Sequence, residues 1–260
     1  GCPFRSGPAR RPPRANTGER KAESPRRTAT VTAHAMTSTV MLHDPNQPMT
    51  ARPIRVTAFV DWNAQLHNAR ALDADPRTRT KRTLERTARV IGRSLARHAA
   101  SSFHVAFRLY HGWHKGWERT ENLRAMISTV SETNFSALAQ TPNVVWSSDV
   151  QYGHTLLAAL PERTHARPPI HLPNTLRRQA RNAPPTEKMV DTALAADLLE
   201  WARRDPNQWA LVLSEDDDVV PPLFTAESWI RPHGGRAFIV RASRPDGFLK
   251  LDGLLMEMNG

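Results

Sequence analysis

Residues 209–222 read W-A-L-V-L-S-E-D-D-D-V-V-P-P. Five apolar residues, Trp209 to Leu213, lead through Ser214 into four consecutive acids, Glu215, Asp216, Asp217 and Asp218. The apolar run has the length of a strand buried on both faces, as in a parallel sheet. Such a strand needs helices on both sides, which already points to a layered α/β fold. The acids then stand just beyond its carboxyl end, where open α/β sheets bind ligands. Four like charges in a row repel one another. Water can solvate them as an ordinary acidic turn, or a hard divalent cation can offset them through carboxylate oxygens.

The rest of the chain supplies the partners of this strand. Ile54 to Val60 is β-branched and reads as a strand with Asp61 at its end; Phe103 to Tyr110 alternates and reads as the next. Val144 to Trp146 and Ala237 to Val240 are further strand candidates. Helices are predicted over 76–100, on Leu84, Ala88, Ile91 and Leu95, and over 118–130, on Leu123, Met126, Ile127 and Val130. The clearest lies over 188–203, with Val190, Leu194, Leu198 and Trp201 in one stripe, Asp191 in its first turn and Arg203 at its end. A short helix is expected after Pro222 and a terminal one over 249–258. Strands alternate with helices, so the expected fold is a three-layer α/β sandwich around a largely parallel central sheet. If the first strand neighbours 209–213, Asp61 and the acids 216–218 share one carboxyl edge. In an extended segment Asp216 and Asp218 point the same way and Asp217 the other.

Charge suggests a partner. The 260 residues carry a formal net charge of +11, which favours a polyanion. Residues 1–52 hold nine Lys/Arg against Glu19, Glu23 and Asp44, and residues 161–187 hold five Arg against Glu162 and Glu187. The body is therefore nearly neutral, with two basic appendages. The stretch 1–53 is expected to be a disordered basic arm ahead of a domain over 54–260. Part of that arm is expected to be non-native, with translation starting at Met36, Met41 or Met49. Cys2 is the only cysteine, which excludes internal disulfides and cysteine zinc sites and fits a cytoplasmic setting. No apolar run is long enough to span a membrane, and the N-terminal stretch lacks the apolar core of a signal peptide.

Three blocks in order then carry a resemblance: V-D-W-N at 60–63, K-M-V-D-T-A-L-A-A-D-L-L at 188–199, and L-V-L-S-E-D-D-D-V-V-P-P at 211–222. Together they resemble the NYN domain, the LabA-like branch of the PIN-like nucleases, over roughly residues 54–242. The resemblance implies a metal-dependent nuclease, acting on RNA more readily than on DNA, with Mg²⁺ or Mn²⁺ held by Asp61, Asp191, Asp216 and Asp218. It implies support from Asn63 and Ser214, and matches Asp197 to a second helix acid. Six residues beyond Asp191 on a helix, Asp197 points well away from it, which makes it a supporting residue. Glu215 stands where the family has glycine and Val219 where it has Phe. Asn63 follows Asp61 by two residues where the pattern has three.

Three readings stay open: a metal-dependent nuclease, a non-catalytic nucleic-acid-binding or interaction module on the same fold, and a small-molecule phosphohydrolase with Asp61 as nucleophile. The last is disfavoured because no second Asp follows two residues later. The basic segment 161–187, with six prolines, is expected to lie beside the acidic edge, where Arg177, Arg178 and Arg181, with Lys188, would meet phosphates. His98, His104, His111 and His114 match no metal-ligand spacing and read as surface or packing residues. Trp113 and Trp117 read either as core caps or as bases' stacking partners. No Gly-rich phosphate loop is present.

Overall fold

A computed structural model describes residues 52–69, 75–138, 140–159, 172–178, 183–241, 251 and 253–257. The arm expected over 1–53 lies outside these apart from Arg52 and Pro53. In chain order the elements are β1 (Ile54–Asp61), α1 (Trp62–Asn68), α2 (Pro76–His98), β2 (Phe103–Tyr110), β3 (His114–Lys115), β4 (Glu118–Arg119), α3 (Glu121–Glu132), α4 (Phe135–Leu138) and β5 (Val144–Tyr152). They continue with β6 (Leu176–Arg177), β7 (Thr186–Glu187), α5 (Val190–Arg204), β8 (Trp209–Leu213), α6 (Val220–Ile230), β9 (Arg236–Arg241) and β10 (Leu255–Glu257).

Six strands form one sheet in the order β10-β9-β8-β1-β2-β5, and every neighbouring pair is parallel. Alternate residues along each strand serve two separate cores. Val56, Ala58, Val60, Leu211 and Leu213 join Leu84, Ile91, Leu95, Leu123 and Met126 on the α2–α3 face. Phe59, Ala210, Val212 and Ile239 join Leu194, Leu198, Trp201, Leu223 and Ile230 on the α5–α6 face. This is the expected three-layer sandwich. The order reverses between β1 and β8, because the chain runs outward from β1 through β2 to β5 and then returns to β8. In open α/β sheets ligands bind at the carboxyl ends of the strands beside such a reversal. No helix among the described residues is long and apolar enough to cross a membrane.

Several element boundaries differ from expectation, each for a local reason. Residues 255–257 are a strand beside β9, not part of a terminal helix over 249–258. Gly253, with φ of 75°, sets the turn before it, and a short apolar run does not by itself distinguish helix from strand. The helix expected from Glu118 begins at Glu121, because residues 118–119 pair with 114–115 and the Thr120 hydroxyl caps the helix. The helix expected after Pro222 begins at Val220; Pro221 and Pro222 occupy its first turn, where the missing N–H leaves no bond unmade. Helix α1 was not anticipated. Asp61 caps it through a bond from the Ala64 N–H. Strand β5 runs to Tyr152, well past Trp146, with a register shift opposite β2 between Val105 and Phe107.

Candidate functional site

The register Val60↔Leu213 aligns the ends of β1 and β8, so Asp61 and Ser214 stand side by side where the strand order reverses. Both continue the residue alternation that faces α5. The Ser214 hydroxyl, buried at 1% exposure, donates to Asp61 Oδ2 at 3.4 Å and accepts from the Asp216 N–H at 3.1 Å. Asp216 Oδ1 in turn accepts from the Asp218 N–H at 2.9 Å and caps the single 3₁₀ turn Asp217–Val219. One chain of hydrogen bonds therefore links Asp61, Ser214, Asp216 and the backbone of Asp218. The segment is not extended as the alternation assumed: residues 217–219 form the 3₁₀ turn, and Asp217 is bound by Arg241 Nη1 at 2.6 Å.

Asp191 sits in the first turn of α5, exposed to solvent. Desolvation at the rim raises its carboxyl from the ordinary value, and the charges of Asp216, Glu187 and Asp218 add to the rise. Asp61 is affected more strongly. Burial pushes its carboxyl up to about 6 against the Ala64 hydrogen bond; Glu187 and Asp191 add to the rise and His111 opposes it. Asp191 is thus within electrostatic reach of Asp61, Glu187, Asp216 and Asp218, and Asp61 within reach of Glu187 and Asp191. Among the described residues, no ion pair joins Asp61, Asp191, Asp216 or Asp218 to a cation. Equally, no group of three or more His, Cys, Asp or Glu among the described residues stands close enough to hold a metal ion as a ready-made cage. The donor chemistry suits a hard cation, since all four aspartates offer only oxygen.

Glu187 was missed by sequence reasoning. It ends β7, accepts from the Gly112 N–H at 2.5 Å and pairs with His111 Nδ1. His111 Nε2 lies 2.7 Å from Asn122 Nδ2. Burial works to raise the Glu187 carboxyl, but the hydrogen bond and charge of His111 and the Gly112 N–H hold it below its ordinary value. His111 thus has a specific partner at the edge of the site, although its spacing to other histidines carries no signal.

Other expected residues have different surroundings. Asn63 lies in α1, where its carbonyl stands 2.8 Å from His67 Nδ1. Asn68, not Asn63, reaches the acidic run, with Nδ2 at 3.4 Å from Glu215 Oε1. Asp197 is 1% exposed and faces away from Asp191. It accepts from Arg108 Nε at 2.8 Å, the Tyr110 hydroxyl at 2.9 Å and the Leu157 N–H at 2.7 Å. Trp113 is fully buried and donates to the Leu109 carbonyl at 3.1 Å, whereas Trp117 is 77% exposed.

The described part of the basic segment touches the site's surroundings through Glu187, which accepts from the Gly112 N–H. The Leu172 N–H donates to the His154 carbonyl, and the Lys188 N–H to the Thr175 carbonyl. Between them β6 and β7 pair as an antiparallel ladder. Arg177, Arg178 and Lys188 are exposed; Arg163, Arg167 and Arg181 lie outside the described residues.

Comparison of the chain with protein-family models, with curated proteins and with solved structures finds no match.

Proposed function

We propose that the protein hydrolyses phosphodiester bonds in nucleic acid, RNA in preference to DNA, at the carboxyl edge of β1 and β8, with Mg²⁺ or Mn²⁺ as its cofactor. One observation carries the reading: Asp61 at the end of β1 is joined through Ser214 to the Asp216 turn at the end of β8, where the sheet order reverses, and no cationic side chain is paired to Asp61, Asp191, Asp216 or Asp218 among the described residues. An arrangement of this kind is unfavourable unless a cation joins it. The three-block resemblance to NYN domains supports the same assignment. Asp61, Asp191, Asp216 and Asp218 would hold the ion. A bound divalent ion supplies Lewis-acid stabilisation of phosphate charge and activation of water.

The chain's own residues have separable tasks. Ser214 orients Asp61 and ties it to the 216–218 turn. The Asp61 cap on α1 fixes the carboxylate against the strand end. Exposed Arg177, Arg178 and Lys188 provide the positive rim that a phosphate backbone needs beside an acidic edge. A reducing, cytoplasmic setting fits the cysteine usage.

A second reading is a nucleic-acid-binding module without turnover. It is favoured by the absence, among the described residues, of a ready-made group of metal ligands. One experiment separates the two: labelled single-stranded RNA incubated with the purified protein in Mn²⁺ or in EDTA, beside Asp216→Asn. Cleavage that needs Mn²⁺ and is lost in the variant is the expected result. Retarded but intact RNA in every lane establishes the second reading instead.

A further inference from the structure

We infer that Trp117 is a stacking site for a base of a single-stranded nucleic acid, and that the two hairpins around it lead the strand to the carboxyl edge. The inference rests on the nucleic-acid reading above and adds which form of nucleic acid is selected and by which residue. A single exposed aromatic is ordinary on any surface, so the weight falls on how this one is mounted.

The β3–β4 hairpin holds Trp117 at its tip, 77% exposed. The tip is fastened to the segment that leads into β6. Asn174 Oδ1 accepts from the Gly116 N–H at 3.0 Å, and the Asn174 N–H donates to the Gly116 carbonyl at 2.7 Å. The His114 N–H donates to the Thr175 hydroxyl at 3.0 Å. Gly116 and Asn174 have φ of 63° and 57°, a left-handed geometry that glycine and asparagine adopt at least cost. The backbone that carries the indole is therefore held by a stitched pair of turns, so the turn itself needs little ordering when a base stacks.

The same joint also holds a cation on the neighbouring hairpin. The carbonyl of Asn174 accepts from Arg177 Nε at 2.9 Å, so one residue holds both the Trp117 turn and an arginine. Arg178, Lys188, Lys115 and Arg119 are exposed on the same two hairpins or directly after them. Of the nearby acids, Glu118 faces Lys115 across the short ladder, and Glu187 is engaged by His111. The unit also joins the acidic edge: Gly112, just ahead of β3, donates to Glu187 at the end of β7. An exposed aromatic on a pair of hairpins that also carry exposed cations suits unstacked bases with their phosphates, because every base offers a π-face and the backbone supplies charge. Paired bases in a duplex keep their faces stacked and cannot use it.

The test measures binding of the full chain, in EDTA, to labelled unstructured RNA and DNA oligonucleotides and to a duplex of the same sequence. Trp117→Ala should weaken single-strand binding about tenfold, with the salt dependence unchanged and duplex binding unaffected. Trp117→Phe should restore most of the loss. Arg177→Ala with Arg178→Ala should instead flatten the salt dependence, by about 0.7 in slope for each single-strand phosphate no longer neutralised. Equal affinity of wild type and Trp117→Ala, an equal loss on duplex, or no single-strand binding by wild type would each overturn the inference. The hydrolysis reading is judged separately, by Mn²⁺-dependent cleavage: a wild type that binds through Trp117 but never cleaves leaves the stacking site standing and removes the nuclease.

Discussion

Two carboxylates, Asp197 and Asp61, are both withdrawn from water but handled in opposite ways. Asp197, on the buried face of α5, has an arginine, a tyrosine hydroxyl and a backbone N–H on its oxygens. Arg108 is itself 2% exposed and also donates to Gln151 at 3.0 Å and to the Thr155 carbonyl. Burial raises the Asp197 carboxyl, and the charge and hydrogen bonds of Arg108 act against that rise. Tyr110 completes the arrangement and leaves no room at Gly153, where an added Cβ would fall 2.1 Å from the Tyr110 ring. Asp61 has only the Ala64 N–H and a long bond from Ser214, and its charged neighbours include Glu187 and Asp191. A buried acid with a matched cation holds the fold together. An acid at a sheet edge surrounded by other acids costs stability, and that cost is what a ligand can relieve.

The largest expected effect breaks the compensated side. Arg108→Met leaves Asp197 buried without its cation and should destabilise the protein by about 3–5 kcal/mol, read by denaturant unfolding. A loss of under about 1 kcal/mol would show that Asp197 does not depend on the pair.

Next in size is the ligand effect at the uncompensated side. Mn²⁺ at about a hundred times its Kd should raise stability by about 2.7 kcal/mol, seen as a higher Tm. Asp218→Asn and Asp191→Asn should each remove most of this gain. An unchanged Mn²⁺ response in Asp218→Asn, measured by calorimetry, would take that residue out of the site.

A smaller effect follows from the Asp61 proton. Its folded-state value of about 6 lies above the ordinary 3.8, so between these values the folded state binds more protons than the unfolded one. Stability in EDTA should therefore fall as pH rises from about 4 to about 6 and stay lowered above that. Asp61→Asn, which can still cap α1, should be more stable than wild type at pH 7 by about 2 kcal/mol after allowance for screening. The advantage should vanish below about pH 4. A variant less stable than wild type at pH 7 would mean that the Asp61 charge is compensated after all.

The finest probe is Glu187→Gln. It keeps an acceptor for the Gly112 N–H but removes a charge that raises Asp61. The Asp61 carboxyl resonance should then titrate at lower pH than in wild type; an unmoved titration would separate Glu187 from the site.

The sequence by itself determined the layers and the positions of most elements. The continuous apolar run at 209–213 and the β-branched stretch at 54–60 mark strands, and the 188–203 stripe marks a helix, because these signals depend only on near neighbours in the chain. The acids after 209–213 were equally legible as a cluster at a strand end. Tertiary structure alone decided the rest. Strand order put β1 beside β8, and register then set Asp61 against Ser214. Packing of distant segments gave Asp197 to Arg108, Asp217 to Arg241 and Glu187 to His111. It also buried Trp113 while leaving Trp117 on the surface. Periodicity is local, whereas the compensation of a charge depends on what the fold brings within a few ångströms of it, and no spacing in the chain encodes that distance.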